Sequence, residues 1–393
     1  MILDYESEDY GKNFHNFEYP KLVMLDSDEP LVAYIEEHEK KLIFTKILDE
    51  GFQIVYNLSH FDKRYWEWPI ITVRNGRIYL ALIPPIGPSD NHDRMQVFLL
   101  DTASGQLTSH REWTADLKKD HSVTGLYPYG DRFIGTASYS QICLHYLPFL
   151  VFGKMFVFHH NSSFVLDDKD VSKPQPIDHR GCFSAQEAEY AVSDSGWIHG
   201  AWIRDTSAAF PPHDETIYYS YTKDGFAWED PIELYTIRDT SIHGQLEHVS
   251  LASGGSSALL LWRDIESGIF FSEMKDGKEV ESVKISDIRK MKIPSEPLWS
   301  ASSIKVAADS RGNAYCLWVQ NTGREYRLYF KARINGKWTP GLIVNSGTGY
   351  VKLPDMKIDK RGKIHVVYLK SRYPEEARPV KFDCYYMAIE RQE

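Results

Sequence analysis

Cysteine is scarce. The 393 residues hold four, Cys143, Cys182, Cys316 and Cys384, with no CxxC pair and no Cys/His ligand spacing. That gives no thiolate zinc module and favours free buried thiols over disulfides; Cys316 and Cys384 fall inside apolar strands, where a thiol acts as a small buried hydrophobe. A basic surface is also missing: the formal net charge is −10, which removes the electrostatic footing for nucleic acid or an anionic membrane. The N-terminal MILDYESEDYGKN has neither the positive end nor the apolar core of a signal peptide. The most apolar stretch, 142–158, contains Pro148, Gly153 and Lys154 and is short for a membrane span, so it reads as two strands. A cytoplasmic protein that does not engage membranes is expected. No GxSxG, P-loop or dinucleotide fingerprint occurs, and no amphipathic helix stands out.

Aromatic residues, by contrast, are plentiful at 13%, with 24 Tyr and 10 Trp, which suits β-sheet packing. They fall in a repeat: an apolar strand, an acidic or Gly turn, then a second apolar strand ending in an aromatic. Copies run over 19–34, 67–82, 187–202, 247–262, 303–318 and 353–368, with a weaker one at 123–138. Their last residues, Tyr34, Leu82, Ser138, Trp202, Trp262, Trp318 and Tyr368, serve as reference positions. The steps between them are 48, 56, 64, 60, 56 and 50 residues. Periods of this size mark one supersecondary unit repeated as an array. Further strands with DG, NG or SG turns follow each copy, which makes four strands per unit.

Seven such units predict an all-β chain folded as a seven-bladed β-propeller with four-stranded blades, one domain over 1–393. Gly76, Gly196, Gly312 and Gly362 stand six residues before their reference positions, where a tight turn needs positive φ. The reference aromatics are expected to fill the space between neighbouring blades. The last unit has only three strands of its own. A bare edge invites aberrant pairing, so Met1–Tyr10 is expected to supply the fourth strand and close the ring.

SYTKDGFAWEDP (220–231) resembles the Asp-box turn of bacterial-neuraminidase-type repeats on sialidase-like propellers. Thr222, Asp224, Gly225 and Trp228 stand for its hydroxyl, acid, glycine and tryptophan, at a spacing one residue tighter than usual. The resemblance implies the propeller fold and a structural role for Asp224, tying a turn to the backbone. Sialidases also carry a Tyr/Phe-Arg-Ile-Pro segment; here Tyr19-Pro20-Lys21-Leu22 lacks that arginine, which argues against a sialidase.

Loops on a rigid scaffold are where function concentrates, and in propellers these surround the central channel. Loops leading into the first strands bring Trp66, Glu67, Trp68, His121, Glu187, Glu189, His243, Glu247, His248 and Trp299; Arg204 and Arg263 lie where second strands end. Glu67, Glu187 and Glu247 share one offset, fifteen residues before the reference position, so they are expected to converge. The main reading is a ligand-binding or scaffold propeller presenting its channel face to a glycan or protein partner, without catalysis. The alternative is a carbohydrate-active enzyme, a polysaccharide lyase or glycoside hydrolase acting on an acidic saccharide. In that case His121, His243, His248 and Arg204 would carry the chemistry; in either reading Trp66, Glu67, Trp68, Glu187, Glu189, Glu247, Arg263 and Trp299 are the expected ligand-binding residues. No cofactor and no metal site is expected.

Overall fold

The computed structural model describes residues 2–3, 17–25, 28–36, 41–48, 51–58, 70–82, 94–114, 121–145, 154–166, 172, 175–177, 184–205, 213–240, 246–286, 304–321, 325–348, 351–371 and 382–390. Among these, every regular element is a β-strand, and all pairings are antiparallel. The strand nearest the N-terminus is β1 (Ile2–Leu3). The first sheet holds β2 (Phe17–Met24), β3 (Pro30–Glu36), β4 (Lys41–Leu48) and β5 (Gly51–Leu58). The second has β6 (Ile70–Arg74), β7 (Arg77–Leu82), β8 (Arg94–Asp101) and β9 (Gln106–Thr114). The third has β10 (His121–Tyr129), β11 (Arg132–His145), β12 (Lys154–Leu166) and a short β13 (Gln175–Pro176).

Sheet four comprises β14 (Ser184–Val192), β15 (Ile198–Asp205), β16 (His213–Thr222) and β17 (Ile232–Thr240). Sheet five comprises β18 (Leu246–Gly254), β19 (Ser257–Asp264), β20 (Gly268–Lys275) and β21 (Lys278–Ser286). In sheet six, β22 (Ile304–Ala308), β23 (Ala314–Asn321) and β24 (Tyr326–Ile334) are followed by two pieces on the same edge, β25 (Lys337–Trp338) and β26 (Leu342–Gly347). Sheet seven is β27 (Val351–Ile358), β28 (Ile364–Ser371) and β29 (Phe382–Ile389), completed by β1, whose Ile2 and Leu3 pair with Tyr385 and Cys384. The chain is therefore an all-β seven-bladed propeller, and its N-terminal strand finishes the last blade.

Turn chemistry sets the strand order. Gly76, Gly196, Gly312 and Gly362 all have positive φ, 68° to 83°, in the hairpins joining first and second strands. Asn75-Gly76, Asp276-Gly277 and Asn335-Gly336 each have both φ values positive, the two-residue turn whose twist matches its strands. The Lys-Asp-Gly triplet at 223–225 behaves otherwise. Asp224 Oδ1 there accepts the N–H of Phe226 and Ala227 at 2.8 and 2.9 Å and the Thr222 hydroxyl at 2.9 Å. The expected side-chain tie of this turn is thus present. Trp228 then donates Nε1–H to Ser163 Oγ at 2.7 Å, and Ser163 donates to the Gly225 carbonyl at 2.9 Å, joining sheets three and four.

Second strands are apolar along their middles, where both faces are covered; every residue of β19 is buried, whereas the fourth strand β21 is mostly exposed. Four reference aromatics stack on their direct partners on the third or last strand: Trp202 on Tyr218, Trp262 on Phe270, Trp318 on Tyr329 and Tyr368 on Tyr385.

The chain divides into two compact units, Met1–Leu80 with Val97–His110 and Lys290–Glu393, and Ala81–Gln96 with Arg111–Arg289. In the first, Tyr368 packs against Leu317 and Leu328 of sheet six, and Tyr34 against Val367 and Leu369 of sheet seven. In the second, Trp262 packs against Ile203 and Tyr219 of sheet four, and Trp202 lies in a cluster with Ile177. These aromatics fill the space between sheets as the repeat predicted. Cys316 and Cys384 are free, buried thiols, and burial pushes both up in pKa.

Candidate functional site

The first strands share an irregularity that no residue pattern announced. Register shifts between Glu18 and Lys21, Val123 and Gly125, Gln186 and Glu189, Glu247 and Val249, and Lys352 and Asp355 put a bulge near the start of five first strands. A bulge leaves an extra residue off the ladder and re-aims side chains, and such bulges gather beside active sites. The fifteen-before offset that aligned the glutamates falls on this bulge. Glu187 is inside it, with its backbone on β14, and Glu247 stands just before it on β18.

His248 is the extra residue of the β18 bulge. It is 6% exposed and has φ of +56°. The other four non-glycine residues with positive φ among the described residues are Asp28, Asn75, Asp276 and Asn335, all of them Asp or Asn in hairpin turns. A buried histidine held left-handed within a strand is a costlier arrangement, about 1–3 kcal/mol, and such strain collects at functional sites.

The groups around it are ionic and tied down. Arg263 Nη1 lies 3.5 Å from Glu247 Oε2, with the arginine buried and the glutamate partly exposed. The sequence offered these two as separate ligand-binding groups; the structure pairs them, since Glu247 and Arg263 are direct register partners on adjacent strands. Leu246 N–H donates to Glu215 Oε2 at 2.6 Å, which pins the start of β18 to sheet four. At the end of β19, Asp264 accepts the Tyr235 hydroxyl of sheet four at 2.9 Å and the N–H groups of Glu266 and Ser267. Burial and then this bond to Asp264 raise Tyr235 to about 12. On β15, the Arg204 guanidinium sits 5.6 Å from the Tyr218 ring centroid, a cation–π contact on the face of the Trp202 stack. Glu189 follows the β14 bulge and faces Tyr127 and Tyr190; burial first, with the Glu189 charge adding to it, raises both phenols.

Sheets four and five thus gather Arg204, Glu189, Glu247, His248 and Arg263 at the starts of first strands and the ends of second strands. His121 heads β10 and Glu187 lies in β14, both placed by backbone. Trp66, Glu67, Trp68, His243 and Trp299 lie outside the described residues, so the convergence of Glu67 with the other glutamates does too. Sequence reasoning passed over Glu215, whose role depends on a partner N–H thirty-one residues away. A groove of about 430 Å³ lies at the other end of β14, between the β10–β11 and β14–β15 turns, lined by Tyr129, Asp131, Arg132 and Ser193 among others. Among the described residues no group of three metal-ligating side chains occurs.

The fold resembles two solved carbohydrate-active enzymes. The polysaccharide lyase Uly1 aligns at a TM-score of 0.54 and 13% identity, over 98% of this chain and 93% of its own. The α-L-arabinanase of Penicillium chrysogenum, solved with arabinobiose, aligns at 0.51 and 10% identity, over 98% and 96%. No family model and no curated protein matches the sequence. At these identities the likeness is one of fold.

Proposed function

We propose that this protein is a carbohydrate-active enzyme, a polysaccharide lyase or glycoside hydrolase, acting on an acidic saccharide at the bulged starts of the first strands. One observation carries the reading: His248, buried and left-handed inside a strand, flanked by an ion pair. Imidazole is the side chain suited to moving a proton near neutral pH. Glu247 and Arg263 hold its strand end in one geometry, and Arg204 is the cation placed to meet a uronate carboxylate. The two solved neighbours support catalysis over a purely scaffolding role, because their shared fold is one on which saccharide cleavage is performed. The Thr222–Trp228 turn fits the Asp-box hairpin of sialidase-like propellers, and in this reading it is structural. The saccharide is held on the channel face.

Incubation with a panel of uronate-containing polysaccharides, followed by ultraviolet absorbance of unsaturated ends and by reducing-end release, tests the reading. Elimination raises both signals and hydrolysis only the second. His248→Asn keeps a residue that tolerates left-handed backbone while removing the imidazole. It should lower kcat/KM by about 100-fold or more with little change in unfolding midpoint. No product from any polymer, or full activity in His248→Asn, refutes the proposal.

A further inference from the structure

The groove at the β10–β11 and β14–β15 turns belongs to one compact unit and lies at the far end of β14 from its bulge. Glu187 and Val192 are separated by roughly 17 Å of strand. The groove volume of about 430 Å³ falls in the usual range for a small-ligand site, about 300–1,000 Å³. Two glycines keep it open. Gly196 has φ of +78°, and a Cβ there would come 4.0 Å from the Tyr129 ring on the facing wall; one on Gly130 would meet no atom within 4 Å.

Both walls are fixed before any ligand arrives. The Tyr129 hydroxyl donates to the Lys223 carbonyl, which locks the ring. Ser193 N–H donates to the Trp197 carbonyl at 2.8 Å, while Ser193 Oγ accepts Trp197 N–H at 3.0 Å and lies 3.0 Å from Ser195 Oγ. Such preorganisation lowers the entropic cost of binding. The lining chemistry is mixed. Tyr129, half-buried, offers a ring to an apolar face. Asp194, exposed, brings an acceptor-only carboxylate, and Arg132 brings a donor-only guanidinium. Arg132 Nε lies 3.8 Å from Asp131 Oδ1, and an exposed pair at that distance is weak enough for the arginine to turn to a ligand. A ligand of either net charge would therefore meet a like charge here. A sugar ring meets none: its hydroxyls both donate and accept, and its C–H face is apolar.

We propose that this groove is a second, non-catalytic site that binds a neutral saccharide chain, at the opposite end of the strands from the catalytic site proposed above. The assignment does not rest on catalysis at the channel face. Native gel electrophoresis of the full chain through hydroxyethyl cellulose, galactomannan, laminarin and dextran tests it, with a polymer-free gel and a non-binding marker protein as controls. Gly196→Asn keeps a residue that tolerates left-handed backbone while placing a side chain in the groove, and Asp194→Ala removes one exposed acceptor. Retardation by at least one polymer is expected, with the apparent Kd raised about tenfold or more in both variants at unchanged unfolding midpoints. If Gly196→Asn fails to fold, Asp194→Ala, at an exposed position, decides alone. His248→Asn should be retarded as the unaltered protein is. Migration unaffected by all four polymers overturns the site. So does retardation that persists in both groove variants, or that His248→Asn abolishes, because the polymer then binds the channel face. A protein that cleaves uronates but is retarded by none of the four loses this site and keeps the catalytic reading; one that is retarded and cleaves nothing does the reverse.

Discussion

His199 and His365 occupy the same position, three residues before the reference aromatic, and differ in one neighbour. His365 Nδ1 lies 2.6 Å from the Tyr386 hydroxyl and its Nε2 lies 3.3 Å from Asp359 Oδ2. His199 Nδ1 meets the Tyr219 hydroxyl at 2.7 Å, but its buried Nε2 has no partner, because Ser193 stands where sheet seven has Asp359. Burial lowers both imidazoles; Asp359 opposes that for His365, while His199 falls to about 4. The folded value lies below the ordinary 6.5 of the unfolded chain, so the unfolded state holds the extra proton between the two. The contribution of His199 to stability is therefore complete above about pH 6.5 and is lost as pH falls towards about 4. From these values it amounts to about 2 kcal/mol lost by about pH 5 and roughly 3 kcal/mol in all. Ser193→Asp supplies the missing carboxylate, should raise the His199 pKa by about 1–2 pH units, and should shrink the acid loss accordingly. An NMR titration of the His199 ring, with denaturation midpoints at neutral and acid pH, measures both effects. A wild-type His199 that titrates near the ordinary value, or a Ser193→Asp protein whose ring titrates unchanged, refutes the reasoning.

Three further perturbations follow from the packing. Deleting residues 1–12 removes β1 from β29 and bares an edge, so the unfolding midpoint should fall strongly; an unchanged midpoint denies that closure. Ser163→Ala leaves the Trp228 indole N–H and the Gly225 carbonyl without their shared hydroxyl and should cost about 1–3 kcal/mol by denaturant titration. Gly362→Ala meets no atom within 4 Å and should cost only its left-handed backbone, about 1 kcal/mol, whereas Gly277→Ala drives a Cβ into the Tyr221 ring and hydroxyl and should cost more. Equal losses at the two glycines would show that space plays no part.

The architecture was legible because it rests on local chemistry. A glycine six residues before an aromatic needs only its own φ, and Trp262 needs only a covered strand face. The site was less legible for the opposite reason. Whether Glu247 binds a ligand or Arg263 is decided by register across a hairpin, and the left-handed backbone of His248 follows from a bulge that no residue type signals. Lys-Asp-Gly shows the limit directly: at 275–277 it makes a two-residue hairpin, and at 223–225 a side-chain-capped turn.

Sheet seven joins strands that lie hundreds of residues apart in the chain. During synthesis Ile2 and Leu3 leave the ribosome hundreds of residues ahead of Tyr385 and Cys384, and must stay unpaired until those appear. The final blade is therefore completed only once β29 has been made, and until then the nascent protein depends on whatever shields the unmated edges of β1 and β28.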